Sequence, residues 1–153
     1  MLFVLRLCSL LIGLIALPAS AQSRNIVQEM IDAINQTRYQ NGLGQLYVSD
    51  SLMRSAFFHA RDMAERNYFN HYTPEGWSAE MRANGQGYPS FLMLRENIGA
   101  GIYEPWQMVG SWMNSQGHRG NILAPYARDI GVAHYYRGSA PYRNYWVLLV
   151  GAG

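Results

Sequence analysis

Apolar residues recur with helical spacing over the first part of the chain and with strand spacing over the last third. Ile26, Val27, Met30, Ile31 and Ile34 share one face of a helix predicted over residues 23–39, which Gly42 and Gly44 end. Asp50 then caps a second amphipathic helix running to about residue 66. Its apolar positions are Leu52, Met53, Ala56, Phe57, Ala60, Met63 and Ala64. Residues 70–77 read as a loop punctuated by Pro74 and Gly76. Ser78 opens a short third helix that Gly85 closes, and residues 87–94 read as loop. Glu104 and Pro105 open a fourth helix, proline being tolerated in a first turn because its missing N–H has no partner to lose. Trp106, Val109, Trp112 and Met113 are its expected buried stripe. Then the pattern changes. Residues 129–136 and 145–150 are rich in Val, Ile, Tyr and Trp, and turn residues over 138–144 join them as two antiparallel strands. Helices first and strands last give the α+β class, as a three-layer α-β-α sandwich around a small, mainly antiparallel sheet.

The N-terminal segment stands outside this pattern. Arg6 precedes an apolar stretch over residues 7–17, Pro18 breaks it, and Ala19-Ser20-Ala21 follows as a small-x-small site. Residues 1–21 therefore read as a secretory signal peptide cleaved near Ala21, an uncleaved anchor being the alternative. Residues 22–153 then form a single domain, secreted or periplasmic, with no integral membrane segment in the mature chain. Cys8, the only cysteine, falls in the signal segment. The mature chain is thus expected to have no disulfide, thiol nucleophile or thiolate metal site, and must be held by core packing. A length of 153 residues allows one core and not two, and 49% hydrophobic with 14% charged residues is the composition of a globule. A net charge of +2 with scattered arginines argues against a nucleic-acid partner. The sequence has no lysine, which excludes a lysine nucleophile.

Four segments form a signature by their order and spacing. His59-Ala60-Arg61-Asp62-Met63-Ala64, continued by Tyr68-Phe69-Asn70-His71-Tyr72-Thr73-Pro74-Glu75-Gly76, is the first, and Arg95-Glu96-Asn97-Ile98-Gly99-Ala100-Gly101 is the second. The third is Trp112-Met113-Asn114-Ser115-Gln116-Gly117-His118-Arg119-Gly120-Asn121-Ile122-Leu123, and Ile130-Gly131-Val132-Ala133 opens the strand after it. Together they resemble the CAP superfamily (cysteine-rich secretory, antigen 5 and pathogenesis-related, or SCP-like) in its cysteine-free bacterial style, over about residues 26–151. The resemblance implies a cleft with two histidines and two acids. Carried over, these are His71, His118 and Glu96, while the second acid's interval, 113–117, holds no carboxylate. Arg95 stands where that family usually has glycine. Arg95 and Asn97 flank Glu96 and complete the expected cleft.

Two imidazoles across a cleft, His71 and His118, suit a divalent metal such as zinc, with Glu96 as third ligand or as orienter. The alternative is a polar cluster that pins loops together. Glu96 has Arg95 and Arg119 as candidate partners. His59 reads as a packing or capping residue and His134 as part of a sheet face, and Ser115 with His118 makes no triad without an acid. The turn Pro74-Glu75-Gly76 and the segment Asn121-Ile122-Leu123 read as structural. Tyr68, Tyr72, Trp77, Tyr88, Phe91, Tyr103 and Trp106, with Met81, Met93 and Met108, would either fill the core or line a groove for a lipid. The favoured function is an exported ligand-binding module for a small hydrophobic or polar ligand. An envelope or extracellular protein-interaction domain, with its protein partner unspecified, and a weak metal-dependent hydrolase are the alternatives.

Overall fold

A computed structural model describes residues 25–89 and 92–153; the segment 1–21, read from the sequence as a signal peptide, and Phe91 lie outside the described residues. Among the described residues, five helices and four strands follow in chain order: α1 (Ile26–Gln40), β1 (Tyr47–Val48), α2 (Asp50–Arg66), α3 (Ala79–Gly85), β2 (Met93–Ala100), α4 (Pro105–Met113), α5 (Gln116–Ile122), β3 (Asp129–Tyr136) and β4 (Asn144–Ala152). The sheet order is β1-β3-β4-β2. β1 runs parallel to β3, and the other pairings are antiparallel.

β4 explains the three layers. It lies inside the sheet and both its faces are covered, so the strand is almost uniformly buried rather than alternating. Trp146, Leu148 and Val150 pack with Met30 and Ile34 of α1, Val109 and Trp112 of α4 and Ile122 of α5. Tyr145, Val147 and Leu149 pack with Leu52, Ala56, Ala60 and Met63 of α2 and Ala83 of α3. One layer is thus α1, α4 and α5, and the other is α2 and α3.

Local chemistry sets the element ends. Asn25 caps α1 by accepting from Gln28 N at 3.1 Å. Ser49 caps α2, one residue before the expected Asp50, accepting from Leu52 N. The stripe of α4 begins at Pro105 and continues through Met108, Val109 and Trp112, at i, i+3, i+4 and i+7. Trp106 lies off that face and is exposed, contrary to the sequence reading. Residues 93 and 94, read as loop, instead open β2. Arg95, Glu96 and Asn97 interrupt its apolar pattern, so periodicity does not mark the strand.

Arg38 is fully buried at the end of α1 and donates to Gly44 O, Ile122 O and Ala124 O, at 2.9, 2.7 and 3.0 Å. It thereby satisfies carbonyls at the C-terminus of α5 and fixes that short helix to α1.

α2 lies close against β3 at Gly131, where an added Cβ would sit 2.3 Å from the Leu52 carbonyl carbon. Backbone cannot yield there as a side chain would. Gly131→Ala is expected to lower stability by about 2–3 kcal/mol in urea unfolding. Gly110, on the exposed face of α4, has open space around it. Gly110→Ala should instead raise stability by about 0.5–1 kcal/mol. Equal effects at the two positions would contradict this packing.

Candidate functional site

The site begins where α2 ends. Asn67 takes a left-handed conformation, φ 56°, and returns its N–H to Met63 O, turning the chain into the loop over 68–77. Side chains of α2 hold that loop. His59 is 1% exposed and its Nε2 lies 3.0 Å from Asn70 O. A carbonyl only accepts, so Nε2 carries the proton and Nδ1 is bare. Tyr68 donates to Asp62 Oδ2 at 2.5 Å, with its hydroxyl 3.5 Å from His59 Nδ1. Arg66 grips Glu75 with two bonds, 2.6 and 3.0 Å long, and this pulls the Glu75 carboxyl down to about 2. Gly76, at φ 88°, closes the Pro74-Glu75-Gly76 turn by donating to Thr73 O at 2.8 Å.

The loop presents His71 to β2. His71 Nδ1 is 2.8 Å from Glu96 Oε1, and Arg82 of α3 donates to Glu96 Oε2. The Glu96 side chain is 4% exposed, that of Arg82 7%, and that of His71 49%. Arg82 also donates to His71 O at 2.8 Å and Trp77 O at 2.9 Å. Burial alone would push the Glu96 carboxyl up. The bond from His71 and the positive charge of Arg82 outweigh it and hold the carboxyl below its ordinary value. Glu96 is therefore an anion at neutral pH.

His118 reaches the site from the other layer. Neighbouring strand residues point to opposite faces, so Glu96 and Ile98 face α2 and α3 while Asn97 and Gly99 face α4 and α5. Asn97, fully buried, donates to His118 O at 3.1 Å. Asn121 donates to Asn97 Oδ1 at 2.8 Å and to Glu96 O at 3.1 Å, and Trp112 Nε1 donates to Ile98 O at 3.0 Å. These bonds cover backbone carbonyls of β2, an edge strand, with side chains of α4 and α5. His118 is partly buried, and burial first, then the proximity of His71, lower its pKa. Its imidazole is neutral at pH 7 and its lone pair is available.

A model of the cysteine-rich secretory protein family, CAP, matches residues 31–150. The chain belongs to the CAP family. It is 36% identical over 112 residues to YkwD of Bacillus subtilis, covering 73% of this chain and 43% of that protein. It is 31% identical over 105 residues to the membrane protein YlbC of the same organism, covering 69% of this chain and 30% of that protein. The chain thus spans less than half the length of the curated relatives it matches. An extracellular SCP-domain protein of Bacillus anthracis is 25% identical, with a TM-score of 0.73 over 83% of this chain and 40% of that one. An outer surface protein of Borrelia burgdorferi shares the fold at 22% identity, with a TM-score of 0.77 over 86% of this chain and 95% of that one.

Within this CAP domain, His71 and Glu96 are joined by a hydrogen bond and His118 lies within the electrostatic reach of His71. Asn97 supports His118 from behind. Arg95 is exposed and has the strand parity of Asn97, so it projects from the face opposite Glu96. The carboxylate's cationic partner is Arg82 rather than Arg95 or Arg119. His134 is elsewhere, bonded to Asn144 Oδ1 at 3.0 Å and packed on Trp146. Ser115 precedes α5 as its cap residue, without a side-chain capping bond. Sequence reasoning missed Arg82, whose short helix gives no periodic signal, and the bracing role of His59. His59 does share the α2 stripe with Ala56, Ala60 and Met63, and that position could have marked it as buried.

The donor set limits how a metal could be held. Among the described residues, no three His, Cys, Asp or Glu side chains gather as ligands. Both oxygens of Glu96 are engaged, by His71 and by Arg82, so the carboxylate fits the orienting position and not that of a third ligand.

Burial lowers the His59 imidazole to about 4, against the opposing charges of Glu96 and Asp62. The unfolded chain therefore takes up a proton first as pH falls. Stability from this group is present above about pH 6.5 and is lost as pH falls toward 4, by about 3 kcal/mol. Glu96, also lowered, adds a loss of the same sign in the carboxylate range. Urea unfolding from about pH 7 to pH 4 should show this slope. His59→Gln, whose amide can still donate to Asn70 O, should flatten it. A flat wild-type profile would contradict the assignment.

Proposed function

We propose that the chain is the binding domain of an exported protein, and that its cleft takes a divalent cation such as zinc, or a small polar ligand in its place, reversibly at His71 and His118. The observation that carries this reading is the His71–Glu96–Arg82 relay. Glu96 fixes the His71 ring through Nδ1 and leaves Nε2 as the nitrogen open to ligand. A buried carboxylate behind a solvent-facing imidazole is the arrangement that orients metal-binding histidines. The neutral His118 ring supplies the second nitrogen. Two imidazoles make a weak site whose remaining positions go to water or ligand, which suits binding more than catalysis.

Hydrolysis ranks below binding on the same geometry. A general base should have a pKa near the working pH, and Glu96 is held low with both oxygens occupied. Export is supported by the leader pattern over residues 1–21 and by relatives named as extracellular or outer surface proteins. Among the described residues, no helix is long and apolar enough to cross a membrane.

A zinc titration by calorimetry tests the reading. The wild type is expected to bind with a dissociation constant on the order of 1–100 μM. His71→Ala/His118→Ala should abolish binding, and Glu96→Gln should weaken it about tenfold, as loss of an orienting partner does. No binding at about millimolar zinc, or equal binding by wild type and double mutant, would overturn the metal site. It would leave the cluster as a structural one within an interaction domain.

A further inference from the structure

A second cavity lies between α2, the loop over 68–77 and α3. It has a volume of about 600 Å³, within the range of small-molecule sites. His71, Glu96 and His118 do not line it, and Arg82 forms part of the partition between the two sites. Its apolar wall is Phe58, Trp77 and Met81, which are 47%, 55% and 53% exposed. Large apolar side chains left in solvent around one concavity mark a surface that something apolar covers.

The wall also has unpaired polar atoms. Ser55 is 1% exposed and Arg82 8% exposed, and both line the cavity. Ser55 Oγ and Arg82 Nε are buried without a hydrogen-bond partner among the described residues, although both Nη nitrogens of Arg82 donate to the protein. An unmet buried donor is costly and uncommon in native structures, and it points to a missing acceptor.

Charge narrows the class. Arg82 is matched by Glu96, Arg61 by Glu65, and Arg66 by Asp62 and Glu75. These three guanidiniums share four carboxylates, so a carboxylate here would find no uncompensated cation, and an ammonium, which only donates, cannot satisfy an N–H donor. A neutral oxygen satisfies Arg82 Nε–H without disturbing these pairs.

We infer that this cavity is a second ligand site, for a neutral amphipathic molecule with an apolar body over Trp77 and Met81 and a carbonyl or hydroxyl oxygen accepting from Arg82 Nε–H, with the Ser55 hydroxyl as second partner. The inference does not depend on metal binding at the histidines.

Three probes with one phenylbutyl body test it: 4-phenylbutanamide, 4-phenylbutanoate and 4-phenylbutylammonium. Binding is followed by amide and indole NMR shifts. For a probe of about twelve non-hydrogen atoms, the amide should bind with a dissociation constant of roughly 0.1–1 mM and shift Ser55, Trp77 and Met81. It should bind at least about fivefold more tightly than either charged probe, the discrimination of one well-placed hydrogen bond. Ser55→Ala should weaken the amide by about fivefold without lowering Tm, because the hydroxyl it removes has no internal partner. The same variant should titrate zinc as wild type does, which separates this site from the histidine cleft. Equal affinity for the three probes, shifts confined to other regions, no binding at about 10 mM, or a Ser55→Ala variant that binds the amide as wild type does would overturn the proposal.

Discussion

Glu96 is a carboxylate buried at the edge of a sheet, and the surrounding structure is arranged to keep it charged. Burying an ion costs several kcal/mol unless other groups replace its water. Here Arg82 supplies the countercharge and His71 a hydrogen bond, one on each oxygen. Arg82 is equally committed on its other side, where it donates to the carbonyls of His71 and Trp77. One guanidinium thus joins strand, loop and helix. Loss of one partner from such a buried pair typically costs ~3–5 kcal/mol, because the other charge is left alone. In this protein it would also release the loop that carries His71.

The cleft is assembled from both layers across one strand. Consecutive residues of β2 serve opposite sides: Glu96 holds His71 through the α2–α3 layer, and Asn97 holds His118 through α5. α5 has only seven residues, Gln116–Ile122, and could not hold a fixed position by its own propensity. Arg38 on its C-terminal carbonyls and Asn121 on the backbone of β2 fix it. His59 does the corresponding work for the loop over 68–77, and its burial as a neutral ring ties that loop's integrity to pH.

What could be read from the sequence follows from how each element is held in place. α1, α2, α4 and the strands β3 and β4 show in apolar periodicity because one face or both are buried, whereas α3 shows only by its Ser78 cap and Gly85 stop. β2 does not, since Arg95, Glu96 and Asn97 put polar residues where a pattern would be; the strand that builds the site is obscured by the site. β1 has two residues, and α5 contains Gly117 and Gly120, so neither has a local signal strong enough to mark it. His71, His118 and Glu96 were marked as site candidates only through the resemblance to the CAP superfamily. Arg82 was not, because its role depends on a tertiary approach of α3 to β2 that no local pattern encodes. Arg95, adjacent to Glu96 in sequence, points away from it, as the period-two geometry of a strand requires.

The ionisation of Glu96 is the point on which this account turns, and carbon-13 NMR of its side-chain carboxyl measures it directly. The carboxyl is expected to titrate below the ordinary 4.5 of a glutamate, and to move upward in His71→Ala, which removes one hydrogen bond to the anion. A carboxyl that titrates at or above 4.5 in the wild type would mean that burial prevails over Arg82 and His71. The charged relay behind the cleft would then be wrong.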